Sequence, residues 1–277
     1  MALTYAIWAN DNTSDGPDAH NAQVQSAANR ALAINSSLPV AHVALGLRYL
    51  QRWQWQKAQR EYQSALRLDP YSAPAQQWYA HYLWFTGHSR QALVHMRLAL
   101  ASDPRSAGIN ADLGRALTYA GEIQQAQTRL LANIAARPDF QLNYEYLIEN
   151  QITQHQFRQA LESGKAVETM TGQSDPLILT EMGVADAGMG QYGMVRQYLA
   201  RLQRQAAIQH VSSVFTALLY WELNDRQHAF KELRRAAQEH DQNLVIVSGP
   251  DWAQMRTDPR FAAIRRLMGL PTEAILH

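Results

Sequence analysis

The sequence predicts an all-α solenoid of stacked antiparallel helix pairs, and three observations carry that expectation. Pro70, Pro104 and Pro138 recur at a 34-residue step. Ala58, Ala92, Ala126 and Ala160 keep the same step, in a fixed phase to those prolines. One turn position returns as Gly87, Gly121, Gly190 and Asn224, residue types that tolerate the left-handed backbone that ends a helix. A fixed period of this length marks supersecondary units that bury their apolar faces only by stacking.

The elements follow when the unit is written as 34 positions starting at Pro39. The predicted pairs are 39–72, 73–106, 107–140, 141–175, 176–209 and 210–243, with a one-residue insertion near Gly172. Position 7 holds Leu45, Tyr79, Leu113 and Leu147; position 8 holds Gly46, Ala80, Gly114 and then Ile148. Position 24 holds Tyr62, Met96, Leu130 and Gly164. Small residues at positions 8 and 20 let two helices approach, and a large one at 24 fills the space between them. Beyond the insertion the phase resumes with Gly183, Val195 and Leu199, then Ala217, Ala229 and Leu233. Ser72, Ser106 and the Asp175–Pro176 step sit where helix caps belong.

The ends are less regular. Asp18 to Ile34 reads as the second helix of an earlier pair near 3–38, with Ala31 in phase with Ala65 and Leu3–Ala9 as its first helix. Leu244 to Val247 is either a helix of an irregular last pair or an extended linker, since periodicity cannot separate the two. Phe261 to Met268 reads as a C-terminal capping helix, placed to fill the hollow of the array within an irregular cap at 244–271. A solenoid end needs a polar outer face, yet Leu3, Tyr5, Ile7 and Trp8 crowd the first residues. That predicts a longer natural chain continuing upstream.

Composition narrows the function classes. The chain has 277 residues, 47% hydrophobic and 18% charged, enough for an ordered core in a single solenoid domain. No run of about 18 uncharged apolar residues spans a membrane, and Met1–Asn10 lacks the basic n-region of a signal peptide. With net charge +1 and scattered Lys and Arg, no basic face is set up for nucleic acid. Cysteine is absent, which removes disulfides, thiol catalysis and thiolate metal sites.

The periodic positions together resemble the tetratricopeptide repeat (TPR) superfamily over roughly residues 18 to 240. Local strings resemble a bacterial subset: Trp53-Gln54-Trp55 with Ala58 and Glu61-Tyr62, then Gln77-Trp78-Tyr79-Ala80 with Tyr82-Leu83. The end, Arg256-Thr257-Asp258-Pro259-Arg260-Phe261 through Arg265-Arg266-Leu267-Met268-Gly269-Leu270-Pro271, is similar to the C-terminal TPR modules of bacterial winged-helix (ToxR/CadC-type) transcription regulators. The same kind of module follows adenylate cyclase and kinase domains. The resemblance implies a right-handed TPR solenoid that acts as a sensory or protein-contacting half. No winged helix, recognition helix or membrane anchor stands in this sequence.

TPR arrays expose positions 2, 5, 9, 12 and 13 of each first helix on a concave face. Carried over, that rule gives Gln77, His81, Trp84 and Phe85, then Ala111, Arg115, Thr118 and Tyr119, then Glu145, Glu149 and Ile152. The binding candidates are Gln77, His81, Trp84, Phe85, Arg115, Tyr119, Glu145 and Glu149. They differ from the basic, asparagine-rich clamp that holds a peptide carboxylate, and suit a protein or peptide partner or a small effector with an aromatic or cationic part.

Other constellations are weaker. Gly188-Met189-Gly190-Gln191-Tyr192-Gly193 spells G-x-G-x-x-G, but a helix precedes it where the dinucleotide fingerprint needs a strand. His81, His88 and His95 are seven apart with a turn between them, so no metal site is expected. No nucleophile-and-base set or cofactor motif stands out. The expectation is a non-enzymatic binding or sensory module of a bacterial signalling protein, periplasmic if its parent is membrane-anchored and otherwise cytoplasmic. A free-standing scaffold or chaperone-like adaptor is the alternative.

Overall fold

The computed structural model describes the backbone of residues 17–270 and the side chains of 23–270. The expected helix Leu3–Ala9 and the apolar cluster Leu3, Tyr5, Ile7 and Trp8 lie outside the described residues. Within them every regular element is helical: α1 (Pro17–Ile34), α2 (Pro39–Gln51), α3 (Trp55–Leu68), α4 (Ala73–Phe85), α5 (Ser89–Ser102), α6 (Ala107–Tyr119), α7 (Ile123–Ala136), α8 (Gln141–Thr153) and α9 (Phe157–Thr171). They continue as α10 (Pro176–Gly188), α11 (Tyr192–Ala206), α12 (Ser213–Glu222), α13 (Arg226–Gln238), α14 (Ala253–Arg256) and α15 (Phe261–Met268). Each of the six predicted pairs from 39 to 243 is two helices joined by a short turn.

Turn chemistry fixes those boundaries. The Asp175 carboxylate accepts from the Leu177 and Ile178 amides at 2.8 and 3.3 Å, capping α10, while Pro176 occupies its first turn. Ser72 caps α4 by accepting from Ala75 N. The repeated turn position is left-handed at Gly87, Gly121, Gly190 and Asn224, as their residue types require. It is also left-handed at Trp53 (φ 54°) and His155 (φ 57°), the equivalent residues of the first and fourth pairs. Those two bear a cost of about 1–2 kcal/mol that glycine avoids, so hairpin closure dictates the conformation even where the sequence does not favour it.

Packing within the pairs runs on complementary size. A Cβ at Gly46 would lie 2.6 Å from the Tyr62 ring, and one at Gly114 would lie 2.5 Å from Leu130 Cδ2. Position 8 therefore receives position 24 directly. In the fourth pair the sizes invert: Ile148 is buried at position 8, and the space over Gly164 is taken by Met182 from the next helix, 2.7 Å from where a Cβ would stand. The pattern conserves volume rather than identity.

The chain divides into two compact units. The described residues up to Ile109, with 269–270, form the first, in which α1 packs on α2 and the hairpins α2–α3 and α4–α5 stack. Asn110–Met268 form the second. Here the first helices α8, α10 and α12 pack side by side, and α9, α11 and α13 back them. After α13 the chain enters 3-10 turns at Gln242–Ser248 and Pro250–Trp252, so Leu244–Val247 is helical rather than extended. Helix α15 packs on α13 with Phe261, Ile264 and Met268 buried, as a cap.

The glycine string 188–193 is the turn between α10 and α11, with Gly190 at φ 75°. A Cβ at Gly188 would collide with the Phe157 ring. Helix geometry and packing account for these glycines, and no strand leads into them.

Candidate functional site

In the first unit the candidate residues belong to an aromatic layer on α4. The His81 ring lies tilted against those of Trp78 and Trp84, at centroid distances of 4.7 and 4.3 Å, and meets the Phe85 ring edge-on at 6.2 Å. Gln77, His81 and Phe85 are half-buried, but Trp84 is only 1% exposed. Trp84 is thus covered in this structure, as an indole at this spacing gains more from burial than from solvent contact.

The second unit brings its candidates together. Arg115 on α6 and Glu149 on α8 are 34 residues apart, hence equivalent positions of successive pairs, and the repeat sets them face to face. Arg115 Nε donates to Glu149 Oε2 at 3.1 Å, and an Arg115 Nη donates to Tyr119 Oη at 2.9 Å. Tyr119 Oη donates in turn to Glu149 Oε1 at 2.7 Å, closing a three-residue ring. The guanidinium lies 5.1 and 4.9 Å from the ring centroids of Tyr119 and Tyr146. Burial alone would lower the Arg115 pKa, but Glu149, Tyr119 and Tyr146 hold it well above the ordinary arginine value. Around this ring, Tyr146 donates to Asp112 at 3.1 Å, Asn150 bridges Thr118 and the Ile123 carbonyl, and Gln141 donates to Glu145 at 2.8 Å.

Carboxyl groups crowd the same inner face. Burial first, and then the neighbouring Asp175, raise the Glu145 pKa. Glu181 on α10 is raised well above the ordinary range by burial and then by Asp251, and its Oε2 is shut off from solvent without a hydrogen-bond partner. Glu222 at the end of α12 is raised by burial and eased by Arg226. Asp251 is raised well above its ordinary value by burial, Glu149 and Glu222, against the pull of Arg115 and Arg256.

Asp251 arrives there because the chain folds back over its own inner face. The turn Pro250–Trp252 packs on α8. Gly249 sits so close that a Cβ would stand 2.7 Å from Tyr119 Oη and 3.1 Å from Glu149 Oε1. Arg256 staples the turn by donating to the Val247 and Gly249 carbonyls, and Leu244, Val247, Trp252 and Met255 anchor it in the core. The expectation that α15 fills the hollow is corrected for this unit. The occupant is the turn before it, because α15 spends its apolar face on α13.

Of the eight candidates, Arg115, Tyr119 and Glu149 form one network and Glu145 lies beside it, while Gln77, His81, Trp84 and Phe85 form a separate aromatic layer. Sequence reading missed Asp112, Tyr146, Glu181, Glu222, Gly249 and Asp251. Glu222 is at position 13 of the last pair, so the concave-face rule extended through that pair would have found it. Nothing local marked Gly249 or Asp251, which come from an irregular segment. Among the described residues no three His, Asp or Glu converge to hold a metal, and no helix is long and apolar enough to cross a membrane.

No protein-family model and no curated protein matches the chain. Solved structures do. PilW, described as a widely conserved type IV pilus biogenesis factor, matches with a TM-score of 0.60 at 19% identity, over 76% of this chain and 95% of that one. The APC/C hetero-tetramer Cut9–Hcn1 matches with a TM-score of 0.60 at 15% identity over 96% of this chain, which spans 51% of that structure. A TPR protein of Thermus thermophilus matches with a TM-score of 0.52 at 18% identity, over 64% of this chain and 97% of that one. At such identities the likeness concerns architecture, and the fold is that of a TPR solenoid.

Proposed function

We propose that this chain is a non-enzymatic partner-binding module whose second unit takes a peptide segment on the inner face of α6, α8, α10 and α12. One observation carries the reading: that face already holds a peptide segment, the chain's own turn at 249–252. The hydrogen-bonded ring of Arg115, Tyr119 and Glu149 preorganises the surface, so a partner meets side chains that are already ordered. Glu145, Glu149, Glu181 and Glu222 outnumber Arg115 there, which favours a segment carrying Lys or Arg.

The similarity of the C-terminal strings to regulator modules supports a place in a bacterial signalling protein, as the part of a transcription regulator that senses an effector or partner. In a membrane-anchored parent the module lies in the periplasm; in a soluble one, in the cytoplasm. A free-standing scaffold is the second reading, favoured by the architecture shared with nearly the whole of PilW. A helix-turn-helix segment encoded upstream of Met1 supports the regulator, and a reading frame that opens at Met1 supports the scaffold.

The binding reading is tested with Gly249→Val and an array of peptides of equal length and graded net charge. A valine Cβ would stand 2.7 Å from Tyr119 Oη and 3.1 Å from Glu149 Oε1, so the substitution is expected to lift the turn away. Lys- and Arg-containing peptides are expected to bind the variant about tenfold more tightly than the wild type, because the competent state is no longer a minor one. Equal binding across the charge series would remove the support for this face.

A further inference from the structure

The turn that covers the inner face is electrostatically mismatched to it. Asp251 is a carboxyl group set among carboxyl groups: Glu149 from α8, Glu181 from α10 and Glu222 from α12, with Glu145 of α8 next to Glu149 and Glu181. The cations in reach are Arg115 from α6 and Arg256 from α14, with Arg226 of α13 beside Glu222. Arg115 is engaged by Glu149 and Tyr119, and Arg256 is turned toward backbone carbonyls. Tyr119 and Tyr146 complete the titratable surroundings. Glu181 Oε2 is buried with no hydrogen-bond partner, an arrangement that suits a carboxyl group carrying a proton and penalises one carrying a charge.

We propose that the segment 249–252 is a proton-controlled latch: protonation of the Asp251 and Glu181 carboxyls seats the turn on the inner face of the second unit, and their ionisation loosens it. The inference rests on the partner-binding reading only for its consequence, that opening exposes the partner surface. The latch itself needs no partner to be observed.

The sign follows from the direction of both shifts. Asp251 and Glu181 are held above their ordinary values of 3.8 and 4.5 when the turn is docked. Their contribution to docking is complete below those ordinary values and is lost as the pH climbs through the raised ones. Burial of Leu244, Val247, Trp252 and Met255 supplies a pH-independent hold, so the carboxyls set the slope and the apolar anchors set the baseline. The device closes in acid and loosens as the pH rises through the raised values of the two carboxyls.

Hydrogen exchange of the full chain between about pH 5 and 8 tests this, corrected for the intrinsic pH dependence of exchange and referenced to α12. The amides to follow are Gly249 and Trp252, which donate to the Ile246 and Gly249 carbonyls within the turn. In the wild type their protection should fall with rising pH, by up to about tenfold per unit for each linked proton. Asp251→Asn, which keeps the shape and removes the charge, should hold the turn closed across the range, and Glu181→Gln should flatten the slope. Protection independent of pH in the wild type overturns the proposal, as does a wild-type slope persisting in both variants. Success here with no peptide binding to Gly249→Val would leave the latch standing and remove the partner reading.

Discussion

Arg115→Met is expected to destabilise the second unit by about 3–5 kcal/mol, the range for removing one partner of a buried ion pair. Methionine keeps most of the aliphatic bulk, so the loss is electrostatic. Glu149, 7% exposed, loses the arginine it pairs with, and Tyr119 loses the guanidinium that donates to it. Arg115 also fills the space between the Tyr119 and Tyr146 rings. Chemical denaturation followed by exchange in α8 reads the effect. Adding Glu149→Gln should recover part of it, because the stranded charge goes with the residue that bore it. A loss below 1 kcal/mol would mean that water already reaches the ring and that the inner face is not preorganised.

Gly114→Val is the second large effect, about 3 kcal/mol at the upper end of overpacking costs. The first added carbon would stand 2.5 Å from Leu130 Cδ2 and 2.6 Å from its Cγ, and Leu130 is fully buried with no room to withdraw. The α6–α7 hairpin must spread, and Arg115, the next residue, moves with it. The double variant Gly114→Val with Leu130→Ala should regain stability relative to the single change, since it restores the combined volume with the sizes exchanged. Thermal melting of both variants measures the difference.

These cases explain what was legible in the sequence. Periodic spacing exposes whatever repeats: the helix pairs, the contact of position 8 with position 24, the capping Asp175 and Ser72, and the turn glycines. It also placed Arg115 and Glu149 in equivalent positions, from which their pairing follows by geometry alone. The burial of Trp84 was not legible, because a position rule says which way a side chain starts but not what covers it. Trp53 and His155 carry left-handed turns that their identities do not announce, since closure of the hairpin overrides local preference. The covering turn was invisible for a related reason. Gly249 and Asp251 belong to no repeat, and a segment that folds back over a face is specified by long-range fit rather than by spacing.

On the proposed reading the C-terminal turn and a partner compete for one face. Hydrogen exchange of the 242–256 segment, with and without a saturating basic peptide selected on Gly249→Val, tests it most directly. The wild-type chain is expected to lose protection at Gly249 and Trp252 when the peptide binds, while α6 and α8 hold theirs. A peptide that binds with the turn still fully protected would contradict it.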